Sequence, residues 1–168
     1  MSTALHSYLF AWLFVLGIAL GSMANLMVIA LTSGRWSEPV RPAWIAATRL
    51  VPVVAVLFVP VALGVRFIYP WTGTPGRWLD VPFFIGRSIG YLVVWSVLSW
   101  AMLRGRNILR WSAVGLIVYA VTISLAAFDW IASLMPTWYS SGFGLVVATG
   151  QMLSAAAFGI AVAGFGAR

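Results

Sequence analysis

The chain contains no cysteine. Disulfides, thiolate-held iron–sulfur clusters and c-type haem attachment are therefore excluded within it. Histidine is almost absent as well. His6 is the one copy, so a bis-histidine haem lacks its second ligand, and any Ser–His–Asp set would have to use a residue at the start of the chain. There is no metal-ligand constellation. These shortages argue against a catalytic centre, a metal site or a cofactor held by this chain alone. Charge is the third scarcity. Charged residues make up 8% of the sequence, against roughly a quarter in soluble domains. No water-facing surface can be built from so few. Lysine is missing, and the ten basic residues are all arginines, scattered rather than clustered. That distribution argues against nucleic acid as a partner despite a net charge of +7.

What fills the chain is apolar. Of its 168 residues, 62% are hydrophobic, and they come in continuous runs. A bilayer core needs about 20 apolar residues per helix, and lipid leaves no free backbone group satisfied, so such runs must be helical. Barrel strands would alternate polar and apolar residues instead. The expected fold is an all-α, polytopic membrane helix bundle, a single transmembrane domain over residues 1–168. Five spans are predicted, at about 8–31, 43–65, 81–103, 111–134 and 142–164. The first is read as a retained helix rather than a signal peptide, because Met1–Ser7 carries no basic segment and the apolar run is too long.

Each span has internal punctuation. Gly17 and Gly21 in the first, and Ala155, Gly159 and Ala163 in the last, are small residues at four-residue spacing, a pattern that lets helices approach closely. The last face is expected to meet another helix, in this chain or in another subunit. Asn25 needs a partner inside the bundle. Pro52 and Pro60 should kink the second span unless neighbours satisfy the carbonyls they free. Tyr and Trp near span ends read as an interfacial belt, and the loop 66–80, with Tyr69, Trp71 and Trp78, is expected to lie along the membrane surface. Methionines read as packing. His6 reads as a solvated terminal residue.

Arginine placement orients the bundle. Arg35, Arg41, Arg104, Arg106, Arg110 and Arg168 fall on one side, Arg66 and Arg77 on the other. The positive-inside rule then puts the N-terminus in the periplasm and the C-terminus in the cytoplasm, in a bacterial inner membrane. Three charges lie within spans: Arg49, Arg87 and Asp129. Arg49 can snorkel to the interface as an anchor. Arg87 and Asp129 each lie about five residues from the same end of adjacent spans, at a depth of about 7–8 Å, which predicts an ion pair. Two roles stay open for it: a lock that fixes helix register, or a proton relay or quinone-head contact.

The second half carries a recognisable order. It runs Tyr69-Pro70-Trp71, then Trp78-Leu79-Asp80-Val81-Pro82-Phe83-Phe84-Ile85-Gly86-Arg87, then Ser112-Ala113-Val114-Gly115-Leu116, then Phe128-Asp129-Trp130-Ile131-Ala132-Ser133-Leu134-Met135-Pro136-Thr137-Trp138-Tyr139-Ser140. This order resembles the ActF-type membrane subunit of bacterial alternative complex III, a quinol:electron-acceptor oxidoreductase. Those subunits belong to the NrfD-like, polysulfide-reductase-like membrane proteins. The Asp-Trp-x-x-Ser-Leu-x-Pro-x-Trp-Tyr-Ser block is the most specific part, and a weaker likeness covers nearly the whole chain. The resemblance implies a respiratory assembly in which haem, iron–sulfur clusters and quinol are held by sister subunits. It implies a subunit that packs against the quinol-binding sister and assists proton movement. It places Asp129 and Arg87 at the matching positions, with Trp130, Trp138 and Tyr139 as quinol or interface contacts. Family members are usually more than twice as long, with about ten spans, so this sequence corresponds to a half-length version.

The function expected is that of a non-catalytic membrane subunit of such a complex, in contact with the other subunits, with lipid and with quinone. The alternative is a small homo-oligomeric transporter or channel. Five spans with few polar groups make a poor pathway, and the paired broken helices of secondary transporters are not evident as a repeat.

Overall fold

The fold is described by a computed structural model covering residues 2–73, 76, 78–105, 107–135, 137, 138 and 140–166, with the side chains of Ser2 and Arg35 excepted. Among these residues all regular structure is helical: α1 (Ser2–Thr32), α2 (Arg41–Arg49), α3 (Val51–Val56), α4 (Val59–Ile68), α5 (Val81–Leu103), α6 (Ile108–Trp130) and α7 (Phe143–Gly166). Short 3-10 turns at Arg35–Ser37, Pro70–Gly73 and Ala132–Leu134 join them. Four helices are long and apolar enough to cross a membrane, and α2–α4 together make a fifth, bent span. At 1.5 Å per residue the 23 residues of α5 reach about 35 Å. This matches the hydrocarbon thickness with some interface to spare. The architecture is that of a multi-pass membrane protein.

Four of these helices begin with proline in their first turn: Pro42 in α2, Pro52 in α3, Pro60 in α4 and Pro82 in α5. A proline there loses nothing, because the first N–H groups of a helix have no internal acceptor. Within the second span the same chemistry breaks the helix twice, at Leu50 and at Leu57–Phe58, and the two arms meet at 56°. The expected kink is therefore present. Neighbours satisfy carbonyls along it. The Trp12 indole N–H donates to the Val54 carbonyl at 2.9 Å, the Tyr8 hydroxyl to Leu57 at 2.7 Å and the Ser99 hydroxyl to Thr48 at 2.7 Å.

α1 is the hub, touching each of the other six helices. Its contact with α7 is the closest. A Cβ placed on Gly21 would collide with the Gln151 carbonyl, and one on Gly17 would sit 3.3 Å from Gln151 Cγ. The small-residue face of α7 answers from the other side. Ala155 is fully buried against Gly21, and a Cβ on Gly159 would stand 2.6 Å from Trp44 Nε1. That face therefore packs within this chain against α1 and α2. The partly buried Asn25 donates to the Met152 carbonyl at 3.0 Å and the buried Trp44 to the Ala155 carbonyl at 2.8 Å, so both donors are satisfied. The outer faces are apolar, with Phe10, Leu63 and Phe165 at least three-quarters exposed. That suits a lipid surround and not water.

The belt expected from the aromatic residues needs correction. Trp36, Trp78, Trp100 and Trp138 are indeed well exposed, but Trp12, Trp44, Tyr69, Trp71, Trp95 and Trp130 are buried. Tyr69 and Trp71 do not lie flat on a surface. They turn inward, because their rings pack on Phe84 at 5.1 and 5.4 Å and the Tyr69 hydroxyl reaches the carbonyl of Trp130 at the end of α6. A helix end supplies such orphan acceptors. His6 is also engaged. A ring nitrogen lies 3.2 Å from the Ile68 carbonyl at the end of α4.

Candidate functional site

Asp129 sits in the last turn of α6 and Arg87 in the second turn of α5. Each is unfavourably placed for its own helix, an acid at the negative end and a base near the positive end. Antiparallel packing corrects this. It sets the start of α5 beside the end of α6, so each charge faces the favourable terminus of its neighbour. The two side chains form a bidentate pair, Nη2 to Oδ1 at 2.7 Å and Nε to Oδ2 at 2.9 Å. This fork geometry is the strongest arrangement available to a guanidinium and a carboxylate.

Two further donors complete the carboxylate. The Trp78 indole N–H reaches Oδ1 at 3.2 Å and the Tyr91 hydroxyl reaches Oδ2 at 2.9 Å. Each oxygen thus accepts two hydrogen bonds. An ionised carboxylate has room for about four donors, and only that form accepts them all. Asp129 is 0% exposed and Arg87 10%. The guanidinium is held from its other sides too. Its Nη1 donates to the Trp78 carbonyl at 3.0 Å, and its plane lies 4.3 Å from the ring centroids of both Trp78 and Phe83. Such cation–π contacts add to the pair. The Ser133 hydroxyl donates to the Asp129 backbone carbonyl, closing the helix end.

Trp130 is enclosed beneath this cluster. Its N–H donates to Ser88 Oγ at 2.8 Å, and the rings of Trp12, Phe58, Tyr91 and Trp95 surround it with centroids 5.0–6.0 Å away. It is buried within the bundle and offers no face to the outside. The Tyr69 phenol above it stays a protonated donor, because burial and the nearby Asp129 charge push it well above its ordinary value. Trp138 is placed differently. It is half-exposed, packs edge-on against Phe143 at 5.1 Å, and lines a depression of about 330 Å³ with Trp78, Phe128 and Ser133. Tyr139 lies outside the described residues.

The predicted Arg87–Asp129 pair is therefore formed. Trp78 and Tyr91, which complete it, were not among the predicted site residues. Tyr91 carried a signal, since it follows Arg87 by four residues on one helix face. Trp78 lies in a loop, where no periodicity points inward. Among the described residues no group of acids and histidines could hold a metal ion.

Fold and site together define a multi-pass helical membrane protein built around one saturated, buried ion pair. No protein-family model and no curated protein matches the chain.

Proposed function

We propose that the chain is a non-catalytic membrane subunit of a respiratory quinol:electron-acceptor oxidoreductase of the alternative complex III kind. One observation carries this reading. Residues from three of the four stretches on which the resemblance rests, 69–71, 78–87 and 128–140, contact one another. Tyr69 bonds to Trp130, Trp71 packs on Phe84, and Trp78 and Arg87 both bond to Asp129.

Within that reading Asp129 is a lock. A relay carboxylate must release and regain a proton. Here four donors already occupy both oxygens, and the charge is balanced on the spot. The half-exposed aromatic depression at Trp78 and Trp138 is the place for contact with a sister subunit or its quinol. Haem and iron–sulfur clusters belong to those sister subunits. The subunit lies in the bacterial inner membrane with its N-terminus periplasmic and its C-terminus cytoplasmic, as the arginine bias directs.

The test is purification from native membranes in mild detergent through a tag on this chain. The expected result is a coloured assembly, with haem absorbance and cluster-bearing partners identified by mass spectrometry. Recovery of the chain intact, alone and colourless would overturn the proposal. Substrate or ion flux into vesicles carrying this chain alone would support the transporter alternative in its place.

A further inference from the structure

Arg41, Ile45 and Arg49 recur every four residues along α2 and share one face of that helix. The face lines a cavity of about 510 Å³ at the opposite end of the bundle from Asp129. Its other walls combine apolar side chains, Leu26 and Ile29 of α1, Met102 at the end of α5 and Ile108 at the start of α6, with the hydroxyls of Ser33 and Ser37. A second cavity of about 680 Å³ continues along the same face and shares Glu38, Arg41, Ile45 and Arg49. Arg49 lies eight residues into the span that Arg41 begins, a depth of about 12 Å. Among the described residues neither guanidinium has a hydrogen-bond or ion-pair partner. Glu38 also borders the cavity, but it has an interaction of its own and leaves a net positive lining.

A guanidinium at that depth is costly without an anion. Here two are spaced along a groove that also presents the apolar side chains of Leu26, Ile29, Ile45, Met102 and Ile108. We infer that this groove is a binding site for one anionic phospholipid. The phosphate is clasped between Arg41 and Arg49, and an acyl chain lies along Ile29, Ile45 and Met102. The apolar wall is what selects a lipid over free phosphate, since an inorganic anion would gain nothing from it. Basic pockets between helix ends are a recurrent way of holding such headgroups. The site rests on the membrane fold and is independent of the respiratory reading.

Native mass spectrometry of the full chain, delipidated in detergent and titrated with dioleoyl phosphatidylglycerol or dioleoyl phosphatidylcholine, tests this. The wild type should show one saturable phosphatidylglycerol site and at least tenfold weaker phosphatidylcholine binding. Each guanidinium near a lipid phosphate is worth about fivefold in affinity. The Arg41→Gln/Arg49→Gln double variant should therefore weaken phosphatidylglycerol about thirtyfold, with helical circular dichroism unchanged. Arg66→Gln, at the far end of the second span, should leave binding as in the wild type. Equal affinity of the wild type for both lipids would overturn the inference, and that comparison needs no variant. So would undiminished phosphatidylglycerol binding in a folded double variant, or displacement of the lipid by equimolar inorganic phosphate, which would mark a plain anion site.

Discussion

The carboxylate of Asp129 shows how few residues set the chemistry of this bundle. Its two oxygens receive four donors from α5, from the loop before it and from no solvent. Removing one neutral donor should therefore leave an unsatisfied buried acceptor. Tyr91→Phe is expected to destabilise the chain by about 1–3 kcal/mol, read as a fall in thermal midpoint in detergent. Trp78→Phe should act in the same direction and also loosen Arg87, whose guanidinium rests on that ring. The pairing of Arg87 with Asp129 was legible in the sequence, because matched depth on adjacent antiparallel spans leaves each charge one natural partner. The burial of Trp130 was not. An aromatic residue near a span end reads equally as belt or core, and only the rings of Trp12, Phe58 and Trp95 decide it.

At the scale of elements, two contacts hold the bundle's geometry. The α1–α7 seam depends on the missing side chain of Gly21. Gly21→Ala should force the helices apart and destabilise by about 1–3 kcal/mol or more, because the obstacle is the backbone of Gln151 and not a movable side chain. The break in the second span depends on donors brought from elsewhere. Trp12→Phe would strip the Val54 carbonyl of its partner in the apolar interior, again for about 1–3 kcal/mol. Gly21→Ala should broaden hydrogen–deuterium exchange protection loss along α7, whereas Trp12→Phe should confine it to α3 and α4. The prolines made the break legible. Its 56° bend and the donors that stabilise it were not, since they come from α1 and α5 across the fold.

For the whole molecule, the five spans could be read from the sequence because apolar run length is a property of local composition. The central position of α1 could not. Its residues are apolar on every side, so no stripe marks an inward face. The packing of α7's small-residue face inside the chain, and not on another subunit, likewise follows from the reciprocal fit of Gly21 with Ala155 and of Gly159 with Trp44. These helices present hydrocarbon outward, and α5 and α6 are fastened by the ion pair at one end together with the Trp130–Ser88 and Trp95–Thr122 hydrogen bonds. The reading of Asp129 as a lock stands or falls on what happens when the pair is broken or replaced whole. The direct measurement compares, for the respiratory complex proposed above, the yield of assembly and the proton-coupled quinol turnover in Asp129→Asn and in Arg87→Met/Asp129→Leu. Asp129→Asn leaves Arg87 buried without its counter-charge, which should destabilise by about 3–5 kcal/mol and deplete the assembled complex, while the paired apolar replacement should restore assembly and turnover. Full assembly of Asp129→Asn with turnover lost, and no recovery in the double variant, would contradict the account and make Asp129 a proton-carrying residue.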